Sequence, residues 1–252
     1  LDNPNYYPPD FKRLCELNRE KDLSCFFKKE LPLVSRNNLE FPSKVYVLNL
    51  DDRSDRWERF NHNNTELFDH FEVVRFPAIK KDPVVDAIFD SFTKCIGEAK
   101  DESFLILEDD CYLVSGGLEK LKLAWSDLPS DWDVLIGNHY FFTDMELIGE
   151  NLAKPIGRAS TANFGVYRKT LVEKISANKE FRGMTDSKDW DHFLCLVPEI
   201  NNYTVWPMIS REMAGFSDHK NRILDMNMRL REHSYKYQFV DQINFYENIW
   251  RK

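Results

Sequence analysis

The chain's 252 residues suffice for one large domain or two small ones, with ordinary globular composition and ample apolar material for a core. A formal charge of −8 argues against nucleic acid as a partner, since phosphate neutralisation needs a basic face, but leaves open a nucleotide held through a metal. No apolar run approaches the roughly 20 residues of a membrane span, and no signal-peptide pattern precedes the first charges.

The start at Leu1 rather than Met suggests a piece of a longer protein. Five cysteines, Cys15, Cys25, Cys95, Cys111 and Cys195, are odd in number and lack metal-ligand spacing. Reduced thiols in a cytoplasmic compartment are therefore expected, with Cys95 and Cys111 in the core.

Residues 1–42 read as an N-terminal extension. Pro4, Pro8 and Pro9 keep its start extended, and Phe11, Leu14, Cys15 and Leu17 suggest a short amphipathic helix ending before Pro32. The main domain is expected over 43–222. Its first strand, Lys44 to Leu50, is apolar nearly throughout and runs into Asp51-Asp52-Arg53-Ser54-Asp55-Arg56. Trp57 and Phe60 lie three apart, and Glu58 follows Asp55 by three, which predicts strand, loop and capped helix. Free N–H groups at that helix start and two guanidinium groups suit a phosphate or a nucleotide edge. The plainer alternative is that the acids and arginines cap the helix and pair with each other. The loop is not glycine-rich, so neither a P-loop nor a dinucleotide fingerprint is present.

Phe71 to Ile79 makes a second strand broken by Pro77, and Val85, Ile88, Phe89, Phe92, Cys95, Ile96 and Ala99 then recur at helical spacing. That helix leads into Phe104-Leu105-Ile106-Leu107-Glu108-Asp109-Asp110, four apolar residues followed by three carboxylates. The pattern predicts a strand buried on both faces whose carboxyl end, where open α/β sheets bind ligands, is acidic. Alternation along an extended chain puts Glu108 and Asp110 on one side and Asp109 on the other, so the first two can face one divalent ion. An acidic strand end turning into solvent is the competing reading. Strand, helix, strand, helix, strand predicts a mostly parallel sheet with flanking helices in a single α/β domain.

Gly116-Gly117 opens another helix with Leu118, Leu121 and Trp125 inward, and Asp133 to Asn138 is a short buried strand. Tyr140 to Gly157 reads as irregular, and loops such as Asn138 to Gly157 are expected to shape an acceptor pocket. Ser160 to Tyr167 has strand character with small residues, which either leave room for a ligand or let strands approach. A helix follows over Lys169 to Ala177. In Asp186-Ser187-Lys188-Asp189-Trp190-Asp191-His192-Phe193-Leu194, the apolar positions fit a helix face with Asp189 and Asp191 in its first turns. Either one of them is a general base, or Asp186 or Ser187 caps the helix and Asp189 answers its dipole. Tyr203 to Trp206 is a further strand. Beyond it, Gly215 to Asn221 carries Asp218 and His219, which could close a metal site. Residues 223–252 predict a helical tail that packs on the domain or on a second subunit, the latter giving a homodimer.

The string Val45 to Arg56, then Arg75-Phe76-Pro77-Ala78-Ile79, then Leu105 to Asp110, resembles glycosyltransferase family 25, which contains bacterial lipooligosaccharide sugar transferases and collagen hydroxylysine galactosyltransferases. Asp189 to Leu194 and Gly215 to Asp218 follow in the expected order, so the resemblance spans about 43–222. It implies a GT-A type, Rossmann-like fold, a UDP-sugar donor and Mn²⁺ (or Mg²⁺) at the acidic motif. Residue by residue, it makes Asp110 a direct metal ligand and Glu108 a ligand of metal-bound water or ribose, with Asp109 supporting the pair. Asn49, Leu50, Asp51, Arg53 and Arg56 lie along the nucleotide, Asp218 or His219 completes the metal site, and Asp191 is the base with Asp189 as its rival. Where family members carry Gly-Cys then Ser-His before the acidic strand, this chain has Lys80-Lys81-Asp82-Pro83-Val84-Val85.

The implied function is an inverting transfer of a hexose, galactose or glucose, from a UDP-sugar to a hydroxyl of a glycan, protein or other acceptor. A leaving diphosphate needs a hard cation and positive side chains, and the attacking hydroxyl needs a carboxylate to take its proton. Two other expectations compete: a metal-dependent phosphoesterase built on Glu108, Asp110, Asp189 and His219, and a non-catalytic UDP- or sugar-binding domain.

Overall fold

The computed structural model describes residues 36–139, 141–160, 163–183, 189–213, 215–217 and 222–224. The amphipathic helix expected near Phe11 and the helical tail expected after residue 224 lie outside them.

Strand β1 (Lys44–Asn49) is followed by helices α1 (Ser54–Asn63) and α2 (Thr65–His70), strand β2 (Glu72–Pro77), helix α3 (Val84–Glu98) and strand β3 (Ser103–Glu108). Next come β4 (Cys111–Leu113), α4 (Gly117–Asp127), β5 (Val134–Ile136), β6 (Phe141–Leu147), β7 (Leu152–Ser160) and β8 (Phe164–Arg168). Then α5 (Leu171–Ala177), α6 (Trp190–Leu196), β9 (Asn202–Val205), β10 (Ser210–Glu212), β11 (Gly215–Ser217) and β12 (Arg222–Leu224) complete the described chain. Eight strands form one sheet in the order β2-β1-β3-β8-β5-β9-β7-β6, and β10-β4 and β11-β12 form two small ribbons.

The expected parallel arrangement holds for β2-β1-β3 and again for β5-β9. Elsewhere the sheet is antiparallel: β8 runs against both β3 and β5, β7 against β9, and β6 against β7. The reason is local. Helical crossovers, which return the chain to the same end of a sheet, stop alternating with strands after β5, and β6 and β7 are joined by a short reversal. The segment read as irregular, Tyr140 to Gly157, is mostly this hairpin, with a register irregularity between Phe142 and Asp144. Its period-2 signal is blurred because β7 carries Pro155 and Gly157.

Helices cover both faces. Val45, Val47, Leu105, Leu107, Leu135 and Phe164 share one core with Phe60 of α1, Leu67 of α2 and Leu118 and Leu121 of α4. Leu48, Phe104, Ile106, Val134, Ile136 and Tyr167 share the other with Phe89, Phe92 and Cys95 of α3, Leu171 and Ile175 of α5, and Trp190 and Phe193 of α6. Adjacent residues of β1 and of β3 thus alternate between two cores, which is why those strands read as continuous apolar runs. Cys95 and Cys111 are both fully buried, as expected, and with Cys195 they are free thiols. Among the described residues no helix is long and apolar enough to cross a membrane.

The short helix α6 is fixed by aromatic packing rather than by length, since seven residues hold little helix of their own. Trp190 is 2% exposed, stacks on Phe92 with centroids 4.9 Å apart, and meets Phe89 edge-on at 5.3 Å. Its indole N–H donates to Tyr167 Oη at 3.3 Å. Burying such a ring stabilises by about 1.5–3 kcal/mol before ring–ring terms. Trp190→Ala would therefore release the first turn of α6, and with it Asp191.

Candidate functional site

The chain passes from β1 to β2 on one side and later to β3 on the other, so a crevice opens between the carboxyl ends of β1 and β3. Open α/β sheets place ligands at such a switch point. Asn49 ends β1 there, Glu108 ends β3, and Leu50, Asp51 and Arg53 form the turn above β1.

The strand β3 ends at Glu108, and Asp109 and Asp110 occupy the turn before β4. The extended-chain alternation drawn through Asp110 thus stops two residues earlier than expected. Asp109 nevertheless faces α1: Arg56 Nη1 donates to its Oδ1 at 2.6 Å and Asn49 Nδ2 to its Oδ2 at 2.6 Å. Because the turn brings Asp110 round as well, Arg56 Nη2 also reaches Asp110 Oδ2 at 3.3 Å. Arg75 completes the scaffold, donating from Nε to Asn49 Oδ1 at 2.8 Å and from Nη2 to the carbonyls of Leu50 and Asp51. Arg75, Asn49, Asp109 and Arg56 therefore form one connected chain that fixes the β1 turn against the β3 tip. Asp109 is thus a buried tie between the β1 turn and α1.

Arg53 makes a two-point contact with Asp55, Nε to Oδ1 at 2.9 Å and Nη2 to Oδ2 at 3.0 Å. It sits at the N-cap of α1 without a side-chain cap bond, so the capping box expected from Asp55 and Glu58 does not form. The helix begins at Ser54, two residues too early for Asp55 to cap it. Asp51 is exposed, and Arg56 is turned toward the acids.

Around the tip the charges accumulate. Burial pushes the Glu108 carboxyl well above the usual carboxylate range, and the negative charges of Asp110, Asp191, Glu212 and Asp109 push it further. Burial raises Asp110 to about 6 against the pull of Arg56, with Asp109 adding to the rise. Asp109 is also raised by burial, offset by Arg56 and Asn49. Oδ1 of Asp110 is buried without a hydrogen-bond partner. Acids held together at the cost of their own ionisation are the donor set a hard divalent cation neutralises.

Asp191, in the first turn of α6, lies close enough to act on the Glu108 carboxyl. Asp189 does not share that placement. It occupies the N-cap of α6 without a side-chain cap bond, its side chain is 52% exposed, and His192 Nδ1 stands 3.6 Å from its Oδ2. Asp218 and His219 lie outside the described residues, as do Asp186 and Ser187. Among the described residues no three His, Cys, Asp or Glu side chains form a group that could hold a metal by themselves. The orphaned Asp110 oxygen and the Glu108 carboxyl are two oxygen donors of the kind a hard cation takes.

Sequence reasoning missed Glu212. It reaches the tip because β10 pairs with β4, setting Glu212 opposite Cys111, while the Met213 N–H donates to the Asp110 carbonyl at 2.5 Å. No local signal marks it, since β10 is three residues long and its partner lies about a hundred positions upstream.

Two amides were also missed. Ile106 pairs with Gly165 and Leu107 with Phe164 across β3-β8, and Ile136 pairs with Gly165 across β8-β5. One step further toward the carboxyl edge, the Glu108 N–H donates to the Asn163 carbonyl at 2.9 Å and the Gly137 N–H to the Phe164 carbonyl at 2.8 Å. Alternation then sets Glu108, Asn163 and Asn138 in one row across three strands, on the face of Ile106 and Ile136 that α6 covers. Asn163 is 2% exposed and Asn138 fully buried, and neither the amide nitrogen nor the amide oxygen of either has a partner. The floor beneath them is Tyr167, whose hydroxyl lies where Gly165 lacks a side chain: a Cβ there would stand 2.8 Å from it.

No family model matches this chain, and no curated protein matches it. Among solved structures, A197 from STIV is similar at 12% identity and a TM-score of 0.42, over 73% of this chain and 93% of its own. The fold itself is a mixed α/β sheet flanked by helices, and the weight of any functional reading falls on the site.

Proposed function

We propose that this chain is a metal-dependent, inverting glycosyltransferase of GT-A type that moves a hexose from a UDP-sugar to an acceptor hydroxyl. The observation that carries the reading is the β3 tip: Asp110 with a buried, unpartnered Oδ1 beside Glu108 at the switch point, with Asp191 arriving from α6. The resemblance of 45–56, 75–79 and 105–110 to family 25 supports it from the sequence side.

Asp110 and Glu108 would hold Mn²⁺, which when bound supplies positive charge to the diphosphate as it leaves. Asn49, Leu50 and the turn to Arg53 would line the nucleotide side of the crevice, and Arg56, tied to Asp109 and Asp110, holds the tip in place. Asp191 takes the proton of the acceptor hydroxyl as its oxygen forms a bond to the anomeric carbon. The bond from that carbon to the phosphate oxygen breaks with its electron pair going to the diphosphate. One displacement inverts the anomeric centre. Asp191 is preferred to Asp189 because it lies within reach of the Glu108 charge, whereas Asp189 is exposed and turned to His192. The exposure of Asp189 favours this reading over the phosphoesterase set, whose His219 lies outside the described residues.

The test is transfer or donor hydrolysis from UDP-glucose and UDP-galactose, with Mn²⁺ and with EDTA. Activity that EDTA leaves unchanged, or that survives Asp110→Ala, would overturn the reading.

A further inference from the structure

The row Glu108, Asn163, Asn138 has a consequence beyond the diphosphate. A buried amide with no partner keeps the full cost of leaving water, and here two adjacent side chains leave both ends unmade. Neither a neighbouring strand nor α6 satisfies them. Each side chain presents one acceptor oxygen and one amino group with two donors. A molecule matching the row must therefore offer several groups that both donate and accept, held in a ring or chain lying along the strand edges. Hydroxyl groups have that dual capacity. The row begins at Glu108, next to the proposed diphosphate position, and extends away from the β1 turn toward β5.

We propose that Asn163 and Asn138 form the subsite for the sugar ring of the donor, their amides hydrogen-bonding its hydroxyls, with Tyr167 and Trp190 closing the floor beneath. This rests on the glycosyltransferase reading and extends it, assigning the recognition of the transferred hexose to two side chains on β8 and beyond β5. Gly165 within β8 lets the Tyr167 ring approach the strand next to Asn163, where a Cβ would stand 2.8 Å from its hydroxyl.

The experiment compares binding of UDP with binding of UDP-glucose and UDP-galactose, by calorimetry with Mn²⁺ present, in the wild-type chain and in Asn138→Leu and Asn163→Leu. Leucine keeps the same branched skeleton of four side-chain heavy atoms and removes both unmade groups. The wild-type chain should bind at least one UDP-hexose more tightly than UDP, and each variant should bind UDP unchanged while that preference falls by about tenfold. Both variants should melt no lower than wild type, because the removed groups were unsatisfied. A preference that survives both substitutions would overturn the subsite and leave the glycosyltransferase reading standing, with buried water as the amides' partner. Failure of the wild-type chain to bind UDP at all would overturn the underlying reading. Should a leucine variant not fold, Asn138→Ala and Asn163→Ala carry the same comparison, and a lower melting temperature in every variant would itself count against idle amides.

Discussion

The two ends of β5 carry buried polar side chains with opposite fates. At its start, Asp133 is 2% exposed and fully engaged: Lys174 Nζ stands 2.6 Å from its Oδ2, and the Asn201 N–H donates to the same oxygen at 2.8 Å. Just past its end, Asn138 is buried without any partner, and across the sheet Asn163 and Asp110 Oδ1 share that condition. The fold evidently can satisfy a buried acid on this strand. Unmet groups occur at both edges, Asn202 Oδ1 and Arg168 Nε near the start of β5 among them, but those on the carboxyl edge stand beside the raised carboxyls of Glu108 and Asp110. Unmet polar groups that coincide with raised carboxyls at a switch point mark the place where a ligand supplies the partners, whereas the satisfied Asp133 belongs to the scaffold.

This contrast can be broken by substitution. Asp110→Ala removes the unmet oxygen and should lower transfer by about a thousandfold, in line with losing a group that acts on developing charge, while leaving folding intact by circular dichroism. Asp191→Asn should lower kcat by about a hundredfold or more, with the KM for donor little changed, since a base acts on the acceptor proton. An equal fall for Asp189→Asn would reverse the assignment between the two.

At the scaffold end the expectation inverts. Asp133→Ala should destabilise by about 1–3 kcal/mol in chemical denaturation, because the Asn201 N–H is left unmet and Lys174 loses its partner, with no loss of activity in the protein that remains folded. Equal activity loss there would erase the distinction between the two ends.

The smallest effect sharpens the contrast through pH. Burial lifts Asp110 from its ordinary value of 3.8 to about 6 in the metal-free chain. The folded state then holds that proton more tightly than the unfolded one, so stability is greatest below about 4 as far as this group is concerned. It falls as pH rises from about 4 through about 6. Asp109 and Glu108, also raised, act in the same direction. Thermal melting of the metal-free chain across that window should show the decline. Asp110→Asn should reduce it, and Mn²⁺ should offset it by taking the place of the protons.

Much of this was legible beforehand, and the parts that were not share a cause. The apolar runs Val45 to Leu48 and Phe104 to Leu107 declared two buried strands because each residue is covered whichever face it takes, and the helical spacing from Val85 to Ile96 declared α3. Glu108 and Asp110 stood out because three carboxylates directly follow such a run. By contrast, Asn138 and Asn163 look like ordinary loop residues at strand ends, Glu212 like a surface acid, and the β6-β7 hairpin like irregular chain.

The order of residues alone determined which segments become strands and helices, and that one strand ends in acid, since period and local polarity are properties of neighbours in the chain. Only the tertiary structure decided that β8 enters between β3 and β5 in the reverse direction, that α6 is held by Trp190 over the same edge, and that β10 delivers Glu212 there. Those outcomes depend on pairings between residues tens to a hundred positions apart, whose register is fixed by burial of both sheet faces together rather than by any stretch read by itself.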